Sequence, residues 1–346
     1  MSSGSRVAGG GYAGLTPDRV IDALAGFGLQ PDGRLLQLNS YENRVYQAYR
    51  EDGPPVVAKF YRAGRWSDDQ ILEEHAFAQE LAAADVPVVA PVVLTAAADD
   101  GLRVTGRPPT LARDRDGHLR FSVSRCWPGR APDLDDPAVT AWLGRFLGRL
   151  HAVGARQPFS HRRRLDVETY GDASRRLLLD GGFVDPAQLA AWRSACDQAL
   201  DLVRRAFERV DGLHTLRVHG DCHPGNILWR EGDGDDLGPH VVDLDDACTA
   251  AAVQDLWMLL PDAAQAPVQR QALLDGYRLF MPFDERELTL VEPLRTLRML
   301  HHSAWIARRW DDPAFPIAFP WFGTPAYWSQ QVAQLREQID AMAAAD

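Results

Sequence analysis

An Asp, an Asn five residues later and a second Asp further along form the most informative pattern in this chain. They are Asp221 and Asn226, within His-Gly-Asp-Cys-His-Pro-Gly-Asn, and Asp243, within Val-Asp-Leu-Asp-Asp. In phosphoryl transfer, an Asp accepts or orients the proton of the attacking hydroxyl, and hard oxygen ligands hold the magnesium ions that bridge the ATP phosphates. The pattern predicts Asp221 and Asp243 as catalytic residues, and Asn226 and Asp243 as magnesium ligands.

A lysine stands inside the apolar run Val-Val-Ala-Lys-Phe-Tyr at residues 56–61, which we predict to be a strand. Burying an unpaired ammonium is costly, so Lys59 needs a carboxylate partner. The run fits the Val-Ala-Ile-Lys pattern, whose Lys contacts the ATP α- and β-phosphates and pairs with a helix Glu. Glu73, Glu74 and Glu80 are candidate partners on the next helix, and Glu74 suits its buried face best. The alternative is a lysine on the wet face of an edge strand.

No Gly-rich loop precedes this lysine. Residues 38–46 occupy the position of the phosphate-covering hairpin, and we predict two strands joined by a turn at Glu42 and Asn43. Asn39 and Ser40 offer backbone N–H groups and a hydroxyl to phosphates, which makes Ser40 a candidate nucleotide-binding residue. The alternative is an ordinary hairpin turn.

His219, Cys222 and His223 carry side chains that bind zinc, but their spacing is tight and no second pair of ligands lies nearby. We expect His219 to support the loop through hydrogen bonds and His223 to line the site. Of the neighbouring acids Asp245 and Asp246, one is expected to orient the metal loop and the other to be solvated.

The elements that must position these residues change in type along the chain. Strand patterns dominate the first third, with further candidates near 92–94, 102–105 and 119–126, and Ser67 is expected to start a helix. After the hinge-like Trp127-Pro128-Gly129, helical spacing dominates at 138–152, 187–210, 253–260, 266–279, 285–308 and from 327 to the end. Asp255, in one of these helices, is expected to cap it or brace the catalytic loop.

This change predicts an α+β fold with two lobes and a cleft near residue 127. We expect a flexible tail at 1–14, a β-rich nucleotide-binding N-lobe at 15–127, and a larger helical C-lobe at 128–346 that carries the catalytic and metal-binding loops. A chain of 346 residues is long enough for such a bilobal unit.

Composition narrows the possible partners and location. The net charge of −11 argues against broad nucleic-acid binding and against an anionic membrane surface. The four cysteines form no Cys-x-x-Cys pair, which is typical of a reduced, cytosolic protein. No apolar run approaches the roughly 18 residues that a transmembrane helix needs. We expect a cytoplasmic monomer with no nucleic-acid or membrane partner.

These motifs resemble the aminoglycoside phosphotransferase and choline kinase branch of the protein-kinase-like fold. More narrowly, the chain resembles the bacterial stress response kinase A family of Ser/Thr protein kinases over about residues 15–335. The runs that carry this likeness lie at 38–47, 59–62, 70–75, 219–223, 226–230, 242–247 and 254–260.

The resemblance implies a bilobal protein-kinase-like fold and the use of ATP and Mg²⁺. It implies that Asp221 is the proton acceptor, that Asn226 and Asp243 bind magnesium, that Ser40 lies in the ATP site and that Lys59 contacts phosphate. The chain departs from typical protein kinases where Gly220 replaces the Arg of His-Arg-Asp and where no Ala-Pro-Glu segment follows. Control by a phosphorylated activation loop is therefore not expected.

The resemblance further implies an ATP- and Mg²⁺-dependent kinase that phosphorylates Ser and Thr hydroxyls of unknown protein substrates, including itself, in a bacterial stress response. One alternative is a small-molecule kinase of the same fold, acting on an amino alcohol or aminoglycoside; acidic residues clustered in the cleft would favour it. A second alternative is a non-catalytic nucleotide-binding scaffold. The presence of Lys59, Asp221, Asn226 and Asp243 together counts against it.

Overall fold

The computed structural model describes residues 12, 14–95, 103–210, 212–231, 237–260 and 267–344. The chain divides into two compact units. The first comprises Met1–Arg130 and Leu228–Asp245, and the second comprises Ala131–Ile227 and Asp246–Asp346.

A six-stranded antiparallel sheet forms the centre of the first unit. The strand order is β1-β2-β3-β6-β5-β4. The strands are β1 (Pro31–Leu38), β2 (Arg44–Arg50), β3 (Val56–Phe60), β4 (Arg103–Thr105), β5 (Leu111–Arg113) and β6 (Arg120–Arg125). The predicted pair of strands around the turn at Glu42 and Asn43 is confirmed as β1 and β2.

The position of Lys59 follows from the alternation of side chains along β3. Val56, Ala58 and Phe60 are buried in the apolar core, so the residues between them face the other side of the sheet. Lys59 lies opposite Val45 on β2 and Ser122 on β6. Because β3 is paired on both sides, the edge-strand alternative for Lys59 is wrong.

Two helices of the first unit begin at side-chain caps. Thr16 accepts a hydrogen bond from the N–H of Arg19 at the start of α1 (Pro17–Ala25). Ser67 starts α2 (Asp68–Ala83) as predicted, and it exchanges hydrogen bonds with Gln70 in a capping box.

The predicted strand at 92–94 is wrong. The N–H of Val92 donates to the carbonyl of Val123 at 2.7 Å, but the contact with β6 is otherwise an isolated bridge between Pro91 and Ser124. Proline has no N–H to donate, so Pro91 cannot extend a ladder.

The predicted tail at 1–14 falls outside the described residues, except for Tyr12 and Gly14. The Tyr12 hydroxyl lies within hydrogen-bonding distance of the backbone carbonyls of Glu42 and Phe60, at 3.0 and 3.1 Å. Tyr12 is therefore anchored, unlike the flexible segment expected there.

The second unit is mainly helical. Its helices are α3 (Pro137–Gly154), α4 (Ala173–Asp180), α5 (Leu189–Arg209), α6 (Val253–Leu256), α7 (Pro267–Arg278), α8 (Val291–Ala307), α9 (Ala314–Ala318) and α10 (Pro325–Ala344). The strands β7 (Leu216–Val218) and β10 (Cys248–Ala250) pair antiparallel. The helix predicted at 285–308 begins as a 3-10 segment, Glu285–Leu290, and α4 and α9 were not predicted. The α+β prediction is confirmed.

A short hairpin, β8 (Ile227–Arg230) with β9 (Gly238–Val241), belongs with the first unit, although its sequence lies within the predicted C-lobe. Backbone hydrogen bonds explain this grouping. Trp229 and Arg130 exchange a pair at 2.7 and 3.1 Å, and the N–H of Val241 donates to the carbonyl of Pro87 at 3.0 Å. Asp243 and Asp245 therefore share a unit with Lys59.

Cysteine pairing and membrane-spanning helices can also be checked. All four cysteines are free. Across the described ranges, no helix combines the length and apolar character that crossing a bilayer requires.

Candidate active site

A buried carboxylate, that of Asp255, holds the loop at residues 219–226 in place. Asp255 on α6 accepts hydrogen bonds from the N–H groups of His219 and Gly220, at 2.7 and 2.8 Å, and lies 3.0 Å from His151 Nε2. Burial alone would raise the pKa of Asp255, but the hydrogen bond and charge of His151 lower it overall. Asp255 therefore stays ionised and braces the loop.

Gly220 occupies a position that only glycine fits. Its φ is +85°, in the left-handed region, and a Cβ atom there would lie 2.2 Å from the backbone oxygen of Asp246. A larger residue would force apart the two loop segments.

Asp221 is engaged at both carboxylate oxygens within the second unit. Oδ1 accepts a hydrogen bond from Arg298 Nη1 at 2.5 Å, and Oδ2 lies 3.6 Å from His223 Nε2. Asn226 Nδ2 donates to the backbone carbonyl of Asp221 at 2.9 Å. Because that amide nitrogen faces Asp221, its oxygen is the end available to a cation. The structure thus brings Asp221 and Asn226 together.

The histidines of this loop take structural positions. His219 is buried, and its Nδ1 accepts a hydrogen bond from the N–H of Asp221 at 3.3 Å, which confirms its supporting role. His223 Nδ1 accepts one from the N–H of Gly225 at 3.0 Å. Burial raises the pKa of the Cys222 thiol well above its usual value, which disfavours the thiolate that zinc requires. Within the described part of the chain, no group of three or more His, Cys, Asp or Glu is arranged for a metal ion.

The first unit holds the second carboxylate loop. Lys59 Nζ lies 2.9 Å from Asp243 Oδ1 and 3.1 Å from Asp245 Oδ1. Asp245 is buried and also pairs with Arg65 and accepts a hydrogen bond from Asn43 Nδ2 at 3.1 Å. Of the two neighbouring acids, Asp245 is therefore the one that fixes the loop carrying Asp243.

Asp243 contrasts with its buried neighbour. Its side chain remains 51% exposed despite the ion pair with Lys59, and its φ is +62°. Left-handed backbone in a residue other than glycine is uncommon and costs free energy, so the surrounding contacts must hold it. The Asp243 carboxylate is therefore held in a defined position and is still accessible to solvent.

Lys59 is kept charged by its surroundings. Burial alone would lower the pKa of its ammonium, but Asp243, Asp245 and Glu74 together raise it well above the usual value. Glu74 is buried on α2, whereas Glu73 is partly exposed. Of these two adjacent acids, buried Glu74 is the one whose charge raises the pKa of Lys59, and its pairing with Lys59 stays a prediction.

Ser40 closes the turn between β1 and β2. Its hydroxyl accepts a hydrogen bond from the N–H of Asn43 at 3.2 Å. The Asn43 side chain in turn binds Asp245, so this turn is linked through two residues to the Lys59 cluster.

The model of the phosphotransferase enzyme family matches residues 34–291, which is most of the chain. The chain belongs to the phosphotransferase enzyme family.

Relatives of this phosphotransferase are similar along nearly its whole length. Stress response kinase A of Escherichia coli (strain K12) is 42% identical over 329 residues, which cover 95% of this chain and 94% of the relative. The Serine/threonine protein kinase RdoA of Salmonella typhimurium (strain LT2) is 41% identical over 325 residues, which cover 94% and 92%. The resemblance to the stress response kinase A family is confirmed, and the chain is a kinase.

Solved structures agree on the fold of this phosphotransferase. The amicoumacin kinase hAmiN, in complex with AMP-PNP, Ca²⁺ and Ami, has a TM-score of 0.66 at 20% identity and covers 94% of this chain and 93% of its own. A microcompartment-associated aminopropanol kinase has a TM-score of 0.64 at 17% identity, covering 95% and 97%. At this identity the likeness concerns the fold alone, and it confirms the predicted kinase-like class.

Several residues of this phosphotransferase site were not predicted. Arg65 and Asn43 hold Asp245, and Arg298 holds Asp221. Arg65 lies three residues after the run at 59–62 that resembles the kinase family. Its closeness in sequence to Lys59 could therefore have indicated that it belongs to the same site. Arg298 shares α8 with Arg295, and Arg308 and Arg309 follow the end of that helix, so nothing in its local sequence sets it apart.

Proposed function

We propose that this phosphotransferase is an ATP- and Mg²⁺-dependent protein kinase that phosphorylates Ser and Thr hydroxyls of proteins, including its own, in a bacterial stress response. The observation that carries this proposal is the 42% identity, over 95% of the chain, to a protein named Stress response kinase A. A second relative, at 41% identity, is named a Serine/threonine protein kinase. We further propose that it acts in the cytoplasm as a monomer.

The donor groups of the chain suit a magnesium ion. Magnesium prefers oxygen ligands and is commonly held by one or two carboxylates together with substrate phosphates, without an all-protein cage. Asp243 offers a half-exposed carboxylate and Asn226 an amide oxygen, so both fit the role of ligands. Bound magnesium would neutralise charge on the phosphates.

Lys59 is suited to contact the α- and β-phosphates of ATP. Its raised pKa keeps it cationic, its contact with buried Asp245 holds its ammonium in place, and the charge of buried Glu74 adds to the raised pKa. The turn closed by Ser40 would present backbone N–H groups to phosphate, because its side-chain links to Asp245 fix its conformation.

Asp221 is suited to take the proton of the acceptor hydroxyl. In the proposed step, the hydroxyl oxygen forms a bond to the γ-phosphorus while the bond from that phosphorus to the β–γ bridging oxygen breaks. ADP leaves, and the hydroxyl proton passes to Asp221. Bracing by Asp255 holds Asp221 for this role.

The small-molecule alternative is supported by the fold alone, since the amicoumacin kinase and the aminopropanol kinase are 20% and 17% identical to this chain. The scaffold alternative is disfavoured because Lys59, Asp221, Asn226 and Asp243 are all present.

A labelling experiment tests the proposal against both alternatives. The full chain is incubated with radiolabelled ATP and Mg²⁺, in separate reactions with a Ser/Thr-rich protein and with amino alcohols and aminoglycosides. We expect label on Ser and Thr of the protein and of the kinase itself, abolished by EDTA. Label on a small molecule alone would support the small-molecule kinase, and no label on any acceptor would support a non-catalytic scaffold.

A matched pair of variants tests the metal assignment. Asp243→Asn should remove the magnesium dependence of ATP binding measured by calorimetry, because it removes a carboxylate ligand. Asp246→Asn, which changes an acid three residues away, should retain it. Equal magnesium dependence in both variants would contradict the assignment of Asp243.

A further inference from the structure

A cavity of about 430 Å³ lies in the second unit, next to the side chain that holds Asp221. Residues of α8, the segment at Trp321 and α10 line it. Among the described residues of this lining, Arg295 and Arg298 are cationic and none is a carboxylate. Such a cavity is large enough for one or two side chains of a substrate.

Arg298 connects this cavity to the reacting group. Its Nη1 atom donates to Asp221 Oδ1 at 2.5 Å. A guanidinium carries further donors on Nη2 and Nε, so the same side chain can serve a second anion in a fork-like arrangement. An acceptor hydroxyl that binds Asp221 Oδ1 must share or displace this contact.

Arg295 stands one helical turn before Arg298, on the same face of α8. Its guanidinium lies 5.7 Å from the Trp257 ring centroid and 3.5 Å from Glu292, an ion pair that is weak at this length. Desolvation and the Arg298 cation lower the pKa of His302, which is therefore neutral near pH 7. The positive charge of the cavity comes from the two arginines.

The rest of the cavity wall suits a peptide. The rings of Trp321 and Tyr327 lie 5.1 Å apart, and the Tyr327 hydroxyl is held by Ser303 at 2.7 Å. The amides of Gln330 and Gln334 also line the cavity. Aromatic faces and amides offer packing and hydrogen bonds to a peptide backbone.

We propose that the acceptor is a Ser or Thr with an acidic neighbour, and that Arg295 and Arg298 bind the acidic side chain. This binding draws Arg298 from Asp221, which leaves Oδ1 for the acceptor hydroxyl. A cationic acceptor would instead face two arginines without a carboxylate in the lining, and like charges placed together are costly. The two arginines of the lining therefore favour an acidic peptide. The inference rests on the proposed function of a Ser/Thr protein kinase.

Three peptides of equal length test the specificity. Each contains one Ser, flanked by Asp and Glu, by Asn and Gln, or by Lys and Arg. We expect the acidic peptide to have a kcat/KM about 10- to 100-fold above the neutral one, as one or two charge-assisted hydrogen bonds would give. The basic peptide should be the poorest substrate.

The ratio of kcat/KM between acidic and neutral peptide is then measured in variants. Arg298→Gln and Arg295→Gln should bring the ratio toward one. Arg298→Lys, which keeps the positive charge, should retain part of the preference for the acidic peptide. Taking the ratio within each variant removes any general loss of activity. Arg176→Gln, which removes an exposed arginine on α4, should keep the ratio of the unmodified chain.

A binding measurement separates this inference from the proposed function. The acidic peptide with Ser replaced by Ala should bind the full chain in calorimetry, and Arg298→Gln should weaken binding about 10-fold or more. If some peptide is phosphorylated but acidic flanks give no advantage, the inference alone is overturned. If only small molecules are labelled and the acidic peptide does not bind, the proposed function and the inference both fail.

Discussion

The loop that carries Asp221 and the loop that carries Asp243 are both fixed by a buried carboxylate, but the partners of that carboxylate differ. Asp255 binds two backbone N–H groups and a histidine. Asp245 binds the cationic side chains of Lys59 and Arg65. In each unit a buried acid positions the loop, and a more exposed acid is left for chemistry.

The difference indicates what each loop can respond to. The contacts of Asp255 are mostly to backbone, so they fix the shape of the Asp221 loop independently of any ligand. The contacts of Asp245 include Lys59, the proposed phosphate-binding residue. The charge of Asp245 therefore couples the Asp243 loop to Lys59, the residue that would contact the nucleotide. Substitutions at Asp221, Asp245 and Asp255 test this difference between the loops.

The largest effect is expected at Asp221. Asp221→Asn removes the proton acceptor, so kcat should fall by about 10²- to 10⁴-fold. ATP affinity measured by calorimetry should change little, because the nucleotide-facing groups assigned here are Ser40, Lys59 and Asp243. An equal loss of ATP binding would show that the two loops are not separate in function.

A smaller effect is expected from Asp245→Asn, which leaves the largely enclosed side chains of Lys59 and Arg65 with one acidic partner fewer. Lys59 keeps Asp243 and Arg65 keeps Glu42, at 2.9 and 3.5 Å. The loss of unfolding free energy should therefore fall near the low end for broken buried pairs, about 3 kcal/mol. Urea denaturation followed by tryptophan fluorescence measures it. Asp246→Asn, whose pair with Arg163 is partly exposed, should cost less than about 1 kcal/mol.

Of the three acids that hold or form the two loops, Asp255 is expected to show the smallest effect: Asp255→Asn should cost about 2 kcal/mol, because an amide oxygen still accepts one backbone N–H. Its pH dependence sharpens the comparison. The pKa of Asp255 is depressed in the folded protein from an ordinary value of 3.8. Its contribution to stability is therefore complete above about pH 3.8 and lost as the pH falls through the folded pKa. The urea midpoints of the unmodified chain and of Asp255→Asn should therefore converge as the pH falls. A difference that stays constant with pH would contradict the stabilising role of the ionised Asp255.

Several elements followed directly from local sequence. The capping box at Ser67 and Gln70 fixed the start of α2, and the alternation of apolar residues identified β3 and turned Lys59 away from the core. The motif at 219–226 predicted which side chains share a loop, because residues five positions apart in a short turn cannot separate far. The strand expected at 92–94 failed, since Pro91 interrupts the ladder beside it.

The sequence by itself determined the chemistry of the candidate residues and the type of most elements, since periodicity, caps and short motifs are local properties. Only the tertiary structure decided that Asp245 rather than Asp246 is buried, that residues 228–245 belong with the first unit, and that Arg298 holds Asp221. Each of these depends on a contact between residues far apart in the chain. Such contacts are chosen by burial and charge in the folded protein, and no local pattern records them.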